Sequence, residues 1–186
     1  MNYRGCGQSE GNFSIDGWLR DVCAGIDALS ALDEVSSVSV IGFGTGGALA
    51  ICAGALRPEV RSVAACAPPA DFSDWSSDPE HLLGHARRVG VITDDAFPEN
   101  FDAWAASLAE VQAIQSAAEF APRSLTILHG ADDDLVPVFD SRLVADAHGS
   151  ADLRVVQGAG HALRYDPRVI AVILGWVDRQ RYSRTV

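Results

Sequence analysis

Residues 37–50 read SVSVIGFGTGGALA, a short apolar run followed by closely spaced glycines and a second apolar run. Its apolar beginning, Val38 to Ile41, predicts a short buried strand, and the glycines from Gly42 to Gly47 predict a tight turn. The apolar run from Ala48 to Leu56 then predicts a helix that ends before Pro58. A strand, a glycine turn and a helix in this order predict a sharp backbone corner at the carboxyl end of a strand, where α/β proteins hold their ligands.

The glycine turn fits two motifs. Gly42, Gly44 and Gly47 match G-x-G-x-x-G, in which the backbone approaches a pyrophosphate at a helix N-terminus. Gly42, Gly44 and Gly46 match G-x-S-x-G with glycine in place of the serine, which is the turn that raises a nucleophile above a sheet. The first motif needs no exception, so the turn taken alone favours a dinucleotide site.

The flanking residues do not support that site. A dinucleotide site expects an acidic residue about 20 positions further on, at the end of the next strand. Here the next predicted strand, residues 60–67, ends in alanine and cysteine, and the first acid, Asp71, follows two prolines. A glycine-rich loop and a helix from Ile15 to Leu29, with Ser14 as its N-cap, also precede the turn, whereas the fingerprint normally lies on the first strand of its domain.

Two loops further along the chain fit the second motif. Residues 128–137, LHGADDDLVP, follow a third predicted strand at 125–128, and residues 156–161, VQGAGH, follow a fourth at 153–156. An acid after one strand and a histidine after the next give the chain order nucleophile position, acid, base.

Strands that alternate with helices predict a parallel sheet with helices on both faces. Residues 70–122 break this alternation, because they contain helical stretches and no strand, and we expect them to form a lid or cap inserted into a single α/β domain that spans residues 1–186. The remaining helices are predicted near residues 79–90, 99–119, 138–147 and 167–180.

Four motifs occur in a fixed order along the chain: RGCGQSEG at 4–11, GFGTGG at 42–47, HGADDDLVP at 129–137 and GAGH at 158–161. Together they resemble the motifs of the α/β-hydrolase superfamily, in particular the small bacterial hydrolases that are similar to serine aminopeptidases and esterases. The resemblance implies a three-layer α/β/α sandwich and a small-molecule ligand of the ester or amide type.

The resemblance also implies a role for each site residue. Asp133, three residues before Val136, corresponds to the acid that holds the ring of His161, the base, in one tautomer. Gly44 occupies the position of the nucleophile, where glycine adopts a positive φ without strain but offers no hydroxyl. Thr45 corresponds to the residue whose backbone N–H binds the oxyanion, and we do not expect its side chain to replace the nucleophile.

In the family, the loop that residues 4–11 resemble follows the fourth strand of the sheet, whereas only three residues precede it here. We therefore expect an N-terminally truncated sheet without the early loop that supplies a second oxyanion donor, either because the product is truncated or because Met1 is not the natural start. The strand at 38–41 would then have a bare edge without charge or proline to protect it. We expect a homo-oligomer or poor solubility through this edge, unless residues 1–14 fold back over it.

The composition excludes several other functions. The net charge of −11 argues against nucleic acid and anionic membranes as partners, and no apolar run is long enough to span a bilayer. Every basic residue is arginine, which excludes a P-loop and a Schiff-base enzyme. The four cysteines lack metal-ligand spacing and His81 and His85 lack a third ligand, so we expect no metal and no cofactor. Free cysteines and the lack of an apolar leader at the start predict a cytoplasmic protein.

Three functional hypotheses follow from the sequence. The first is a non-catalytic or severely impaired hydrolase homologue that retains Asp133 and His161. In the second, this pair acts as a general base on water or on a substrate. The third is a nucleotide-binding module that uses the turn from Gly42 to Gly47.

Overall fold

The computed structural model describes residues 1–182. Its strands are β1 (Val38–Phe43), β2 (Val60–Cys66), β3 (Ser124–Gly130) and β4 (Asp152–Val156). Its α-helices are α1 (Ile15–Ser30), α2 (Thr45–Leu56), α3 (Ser73–Ser77), α4 (Pro79–Arg88), α5 (Phe101–Glu110), α6 (Ala113–Phe120), α7 (Val138–His148) and α8 (Pro167–Tyr182), and a 3-10 turn covers Leu163–Tyr165.

The strands form one parallel sheet in the order β1-β2-β3-β4. β2 and β3 lie in the middle and are buried along almost their whole length, as expected of inner strands covered on both faces. Because all strands run the same way, their carboxyl ends meet at one edge, where Phe43 lies opposite Cys66 and Cys66 opposite Leu128. In parallel sheets this edge is the usual place for a functional site.

Helices cover both faces of the sheet, which confirms the predicted α/β/α sandwich. The larger core lies on the face covered by α1, α2, α6 and α7. A smaller cluster on the other face packs Leu128 and Cys66 against Val169 and Ile173 of α8. α2 is buried along eight consecutive residues, Gly47 to Gly54, because neighbouring helices and the sheet surround it.

The insertion differs from its predicted form. The helix predicted at 99–119 is two helices, because the backbone is extended at Val111 and Gln112. Val111 is itself buried, so the apolar pattern continues across the break and conceals it. α6 then packs between α2 and α7 and so belongs to the main helical layer. Only the part of residues 70–122 up to the end of α5 lies outside this layer.

The predicted helix boundaries hold at α1 and shift at α2. α1 begins at Ile15, and Ser14 Oγ accepts a hydrogen bond from Gly17 N at 3.2 Å, as expected of an N-cap. The turn predicted at Gly42 to Gly47 is much tighter, because β1 continues to Phe43 and α2 begins at Thr45. Only Gly44 separates the strand from the helix.

β1 is an edge strand. It pairs with β2 on one side, and no strand within residues 1–182 pairs with its other side. The N-terminal residues instead fold towards α1, where Tyr3 stacks on Trp18 with ring centroids 4.9 Å apart. None of the helices in this described part has the length and hydropathy needed to cross a membrane.

Candidate active site

Three connections bring the predicted site residues to the carboxyl edge of the sheet. Gly44 joins β1 to α2, Asp133 lies in the loop between β3 and α7, and His161 lies between β4 and the 3-10 turn. The last two loops are joined by their backbones, because Asp132 N donates to Ala159 O at 2.9 Å. The structure therefore brings together three residues that are up to 117 positions apart in the sequence, from 44 to 161.

Gly44 has the backbone conformation of a sharp corner. Its φ of 55° and ψ of −128° mirror the first central residue of a type II turn, a conformation that favours glycine. Gly44 N donates to Cys66 O on β2 at 2.7 Å, and its carbonyl accepts from Gly47 N at 2.8 Å. Backbone hydrogen bonds alone therefore fix the corner, and a missing side chain does not disturb it.

The position of the absent side chain faces His161. A Cβ placed on Gly44 with ideal geometry would lie 3.2 Å from His161 Nε2 and 3.5 Å from Cε1. A hydroxyl one bond further out would be within hydrogen-bonding reach of the ring, which is the relation between a serine nucleophile and its base. Gly44 thus stands where a nucleophile would stand.

Asp133 provides a buried, ionised carboxylate that accepts hydrogen bonds. Its side chain is fully buried, and Oδ1 accepts from Leu135 N at 3.0 Å and from Val136 N at 2.9 Å. Burial opposes ionisation, but these backbone donors and His161 outweigh it and lower the pKa of the Asp133 carboxyl below its ordinary value. The neighbouring Asp132 and Asp134 are exposed, so the structure distinguishes Asp133 from both.

His161 is bound to Asp133 through one ring nitrogen. Nδ1 lies 2.9 Å from Asp133 Oδ2 and 3.2 Å from Oδ1, and since a carboxylate only accepts, Nδ1 carries the hydrogen. In the neutral ring the lone pair is then on Nε2, which points to the open position at Gly44. The ring is 29% exposed, so solvent and ligands reach it.

Thr45 is the first residue of α2. As the first helical residue, it has a backbone N–H with no acceptor inside the helix, and the positive end of the helix dipole lies there. This is the place from which the predicted oxyanion donor would act.

The glycines on either side of Gly44 serve packing. A Cβ on Gly42 would lie 2.0 Å from Gly46 O, and one on Gly47 would lie 3.4 Å from the backbone of Cys66. Both therefore allow α2 to start close against β1 and β2.

Two cavities meet at His161 and Thr45, which line both of them. The larger has a volume of about 720 Å³ and lies between the insertion, the acid loop and α7; its walls include the rings of Phe72, Trp75 and Phe139 and the carboxylates of Asp71, Asp74 and Asp140. The smaller, of about 410 Å³, adjoins Gly44 on the side of Tyr3 and Trp18. The imidazole is thus accessible from two sides.

Three residues near the site were not predicted from the sequence. His129 lies behind Asp133 and Ser141 contacts His129, and the only signal for either was that His129 opens the motif HGADDDLVP. Tyr3 lies beside the elbow, with its hydroxyl 3.1 Å from the position of a Cβ on Gly46. No spacing rule connects residues 3 and 46, so no signal in the sequence could have found this contact.

Comparisons with known proteins agree with this geometry. Residues 1–172 match the sequence model of a family described as the alpha/beta hydrolase family. No curated protein matches the chain.

Solved structures resemble the chain at low sequence identity. Est1E from Butyrivibrio proteoclasticus, with ferulic acid bound, has 20% identity and a TM-score of 0.70 over 92% of this chain and 70% of that one. An esterase from Pyrococcus furiosus has 19% identity and a TM-score of 0.67, covering 96% and 66% of the two chains. A meta-cleavage product hydrolase from Pseudomonas fluorescens has 18% identity and a TM-score of 0.66, covering 96% and 78%. At such identities the likeness establishes a shared fold, and the chain spans 66% to 78% of the length of these three proteins.

Proposed function

Because this chain belongs to the alpha/beta hydrolase family, we propose that it binds a small ester- or amide-type ligand beside His161 and does not form an acyl-enzyme. The family gives the fold, and the esterases among the similar structures support the class of ligand. This chain differs from a serine hydrolase at the elbow, since Gly44 has no hydroxyl to attack an acyl carbon.

One observation carries this proposal. The imidazole of His161 is held by Asp133 at 2.9 Å and aims Nε2 at a Cβ position on Gly44 only 3.2 Å away. The base and its orienting acid are therefore arranged as they would be around a nucleophile that is absent. A hydrolase of this design would lose covalent catalysis and keep the site that receives the ligand.

The larger cavity supports a ligand of a particular charge. Its volume of about 720 Å³ falls within the range of small-molecule sites. Asp71, Asp74 and Asp140 line it, and like charges repel, so a neutral or cationic ester fits better than a free carboxylate. The aromatic walls would pack against the apolar part of such a ligand.

A fluorophosphonate probe tests the proposal directly, because it labels an activated serine covalently. The unaltered chain should not be labelled. Gly44→Ser should be labelled at residue 44, since the new hydroxyl would lie beside His161 Nε2. Labelling of the unaltered chain at any residue would contradict the proposal.

Two controls make the labelling specific. The double variant Gly44→Ser/His161→Ala keeps the hydroxyl and removes the base, so its labelling should fall by a factor of about 10² to 10⁴. Thr45→Ala in the Gly44→Ser chain removes a hydroxyl and keeps the backbone N–H at 45, and labelling should persist.

Ligand binding by the unaltered chain is measured by titration with methyl ferulate, chosen because Est1E holds ferulic acid.

A second candidate function is hydrolysis by an activated water. It is favoured by the open position at Gly44, which leaves room beside His161 Nε2 for a water in place of the serine hydroxyl. The Asp133–His161 pair would act as a general base on that water. Slow turnover of p-nitrophenyl acetate that disappears in both His161→Ala and Asp133→Asn would support it, and turnover that survives both substitutions would exclude it.

A further inference from the structure

A second imidazole lies behind Asp133, on the side away from His161. His129 is near the end of β3, and its side chain is fully buried. Its Nε2 lies 3.3 Å from Asp133 Oδ2 and 2.9 Å from Val136 O, and its Nδ1 lies 2.6 Å from Ser141 Oγ on α7. Asp133 is therefore placed between two histidine rings, one buried and one exposed to the cavities.

The position of the hydrogen on His129 follows from its neighbours. Both atoms near Nε2 are acceptors, a backbone carbonyl and an ionised carboxylate, so Nε2 carries a hydrogen. In the neutral ring Nδ1 is then an acceptor, and Ser141 Oγ donates to it. The Val136 carbonyl thus selects this tautomer, and the Ser141 hydroxyl, which can donate or accept, adapts to it.

We propose that His129 is a positioning residue that fixes the Asp133 carboxylate and, through it, the ring of His161. The inference rests on the proposed function for the role of His161, although its geometry does not depend on whether the chain catalyses a reaction. His129 anchors the acid loop, residues 131–137, at Val136, because Val136 O accepts from His129 while Val136 N donates to Asp133 Oδ1. A loop held in this way cannot turn the carboxylate without breaking a buried hydrogen bond.

Backbone contacts alone leave this carboxylate incompletely fixed. The two N–H donors from the loop, at 3.0 and 2.9 Å, both bind Oδ1, and the hydrogen bond to Oδ2 comes from His161 Nδ1 at 2.9 Å. His129 Nε2 lies 3.3 Å from Oδ2 but donates to Val136 O, so it acts on the carboxylate through the loop backbone. Without His129, the Val136 peptide that donates to Oδ1 would lose its buried anchor.

Nuclear magnetic resonance of the unaltered chain provides the first test, because it needs neither catalysis nor a variant. Long-range proton–nitrogen correlations should show His129 protonated on Nε2 and His161 protonated on Nδ1. A His129 ring protonated on Nδ1 alone would overturn the proposal. Failure of the proposed function, seen as fluorophosphonate labelling of the unaltered chain, would leave these signals unchanged, so the two failures can be told apart.

Two substitutions separate positioning from simple packing. His129→Gln keeps an N–H donor close to the place of Nε2, whereas His129→Asn keeps only polar atoms close to the place of Nδ1. The fixed Nδ1–H tautomer of His161 should persist in the Gln variant and become mixed in the Asn variant. A folded Asn variant in which His161 keeps its single tautomer would overturn the proposal.

The same two substitutions can also be compared by the rate of fluorophosphonate labelling in the Gly44→Ser chain. His129→Asn should slow fluorophosphonate labelling by roughly 10- to 100-fold, the range expected when a group outside the reacting shell is lost and the reacting group is misplaced. His129→Gln should restore most of that rate. Equal rates in the two variants would show that His129 acts only by filling space.

Discussion

The elbow at Gly44 and the acid loop at residues 131–137 lie on the same edge of the sheet, but they keep their shapes by different means. The elbow is held by backbone hydrogen bonds, from Gly44 N to Cys66 O at 2.7 Å and from Gly47 N to Gly44 O at 2.8 Å. The acid loop is held by a side chain, because the buried Asp133 carboxylate accepts from two backbone N–H groups and from His161 Nδ1. They also differ in their support, since β1 is an edge strand and β3 is an inner one.

This difference explains which chemical group the fold can lose. A glycine at the elbow leaves the corner unstrained, because backbone hydrogen bonds alone hold it. Removing the carboxylate of Asp133 would instead leave Leu135 N, Val136 N and His161 Nδ1 without their acceptor. We therefore expect the fold to tolerate a change at residue 44 better than a change at Asp133.

The largest expected effect is on stability, in Asp133→Ala. The substitution should lower the free energy of unfolding by about 3 kcal/mol, because the fully buried carboxylate is the acceptor of three hydrogen bonds and its removal also leaves a cavity. Urea unfolding followed by tryptophan fluorescence measures it. Asp132→Ala and Asp134→Ala are matched controls in the same loop, exposed in the structure, and each should stay within about 0.5 kcal/mol of the unaltered chain. A similar loss in all three variants would show that the loop needs its charges and not this particular acceptor.

Gly44→Ala should have a smaller effect, about 1–3 kcal/mol, because an alanine must adopt the positive φ and its Cβ would lie 3.2 Å from His161 Nε2. Gly158→Ala is the matched control, since its φ is +70° but a Cβ there would meet nothing within 4 Å. The difference between the two losses reports crowding by His161. Equal losses would mean that the His161 ring moves aside at no cost. This would contradict the claim that Asp133 holds the ring in place beside Gly44.

The pH dependence of stability distinguishes the two regions, because the elbow contains no titrating group whereas the acid loop contains the buried Asp133. The pKa of the Asp133 carboxyl is lowered in the folded chain, so Asp133 stabilises the fold above its ordinary pKa of 3.8 and loses this contribution as the pH falls through the folded value. The free energy of unfolding should therefore fall below pH 3.8 more steeply in the unaltered chain than in Asp133→Asn. Urea midpoints measured from pH 5 downwards test this. Parallel curves for the two proteins would contradict the assigned direction.

The smallest expected effect is weak self-association through β1, which we propose because its outer edge is unpaired within residues 1–182. Sedimentation at micromolar concentration should show a dimer or a larger species. Ile41→Lys places a charge on this edge strand, where Ile41 is already 38% exposed, and should shift the chain towards monomer. A clean monomer that melts cooperatively would show that the edge needs no partner.

Much of the fold could be predicted because its signals are local. The apolar runs predicted all four strands, and Ser14 predicted the start of α1. The break between α5 and α6 escaped, because Val111 is buried by tertiary contacts and so continues the helical pattern. The tightness of the elbow was not predicted either, because glycines that usually mark a turn lie here in the first turn of α2, where they allow close packing.

The sequence by itself determined the order of the elements, the residue at the elbow and the two loops that carry Asp133 and His161. These features depend on composition and on spacing along the chain, and the amino-acid sequence contains both. Only the tertiary structure decided that Nδ1 of His161 lies 2.9 Å from Asp133 and that His129 and Ser141 lie behind the same carboxylate. Such contacts depend on how β3, α7 and the histidine loop meet in space, and an ångström of difference there separates a hydrogen bond from none.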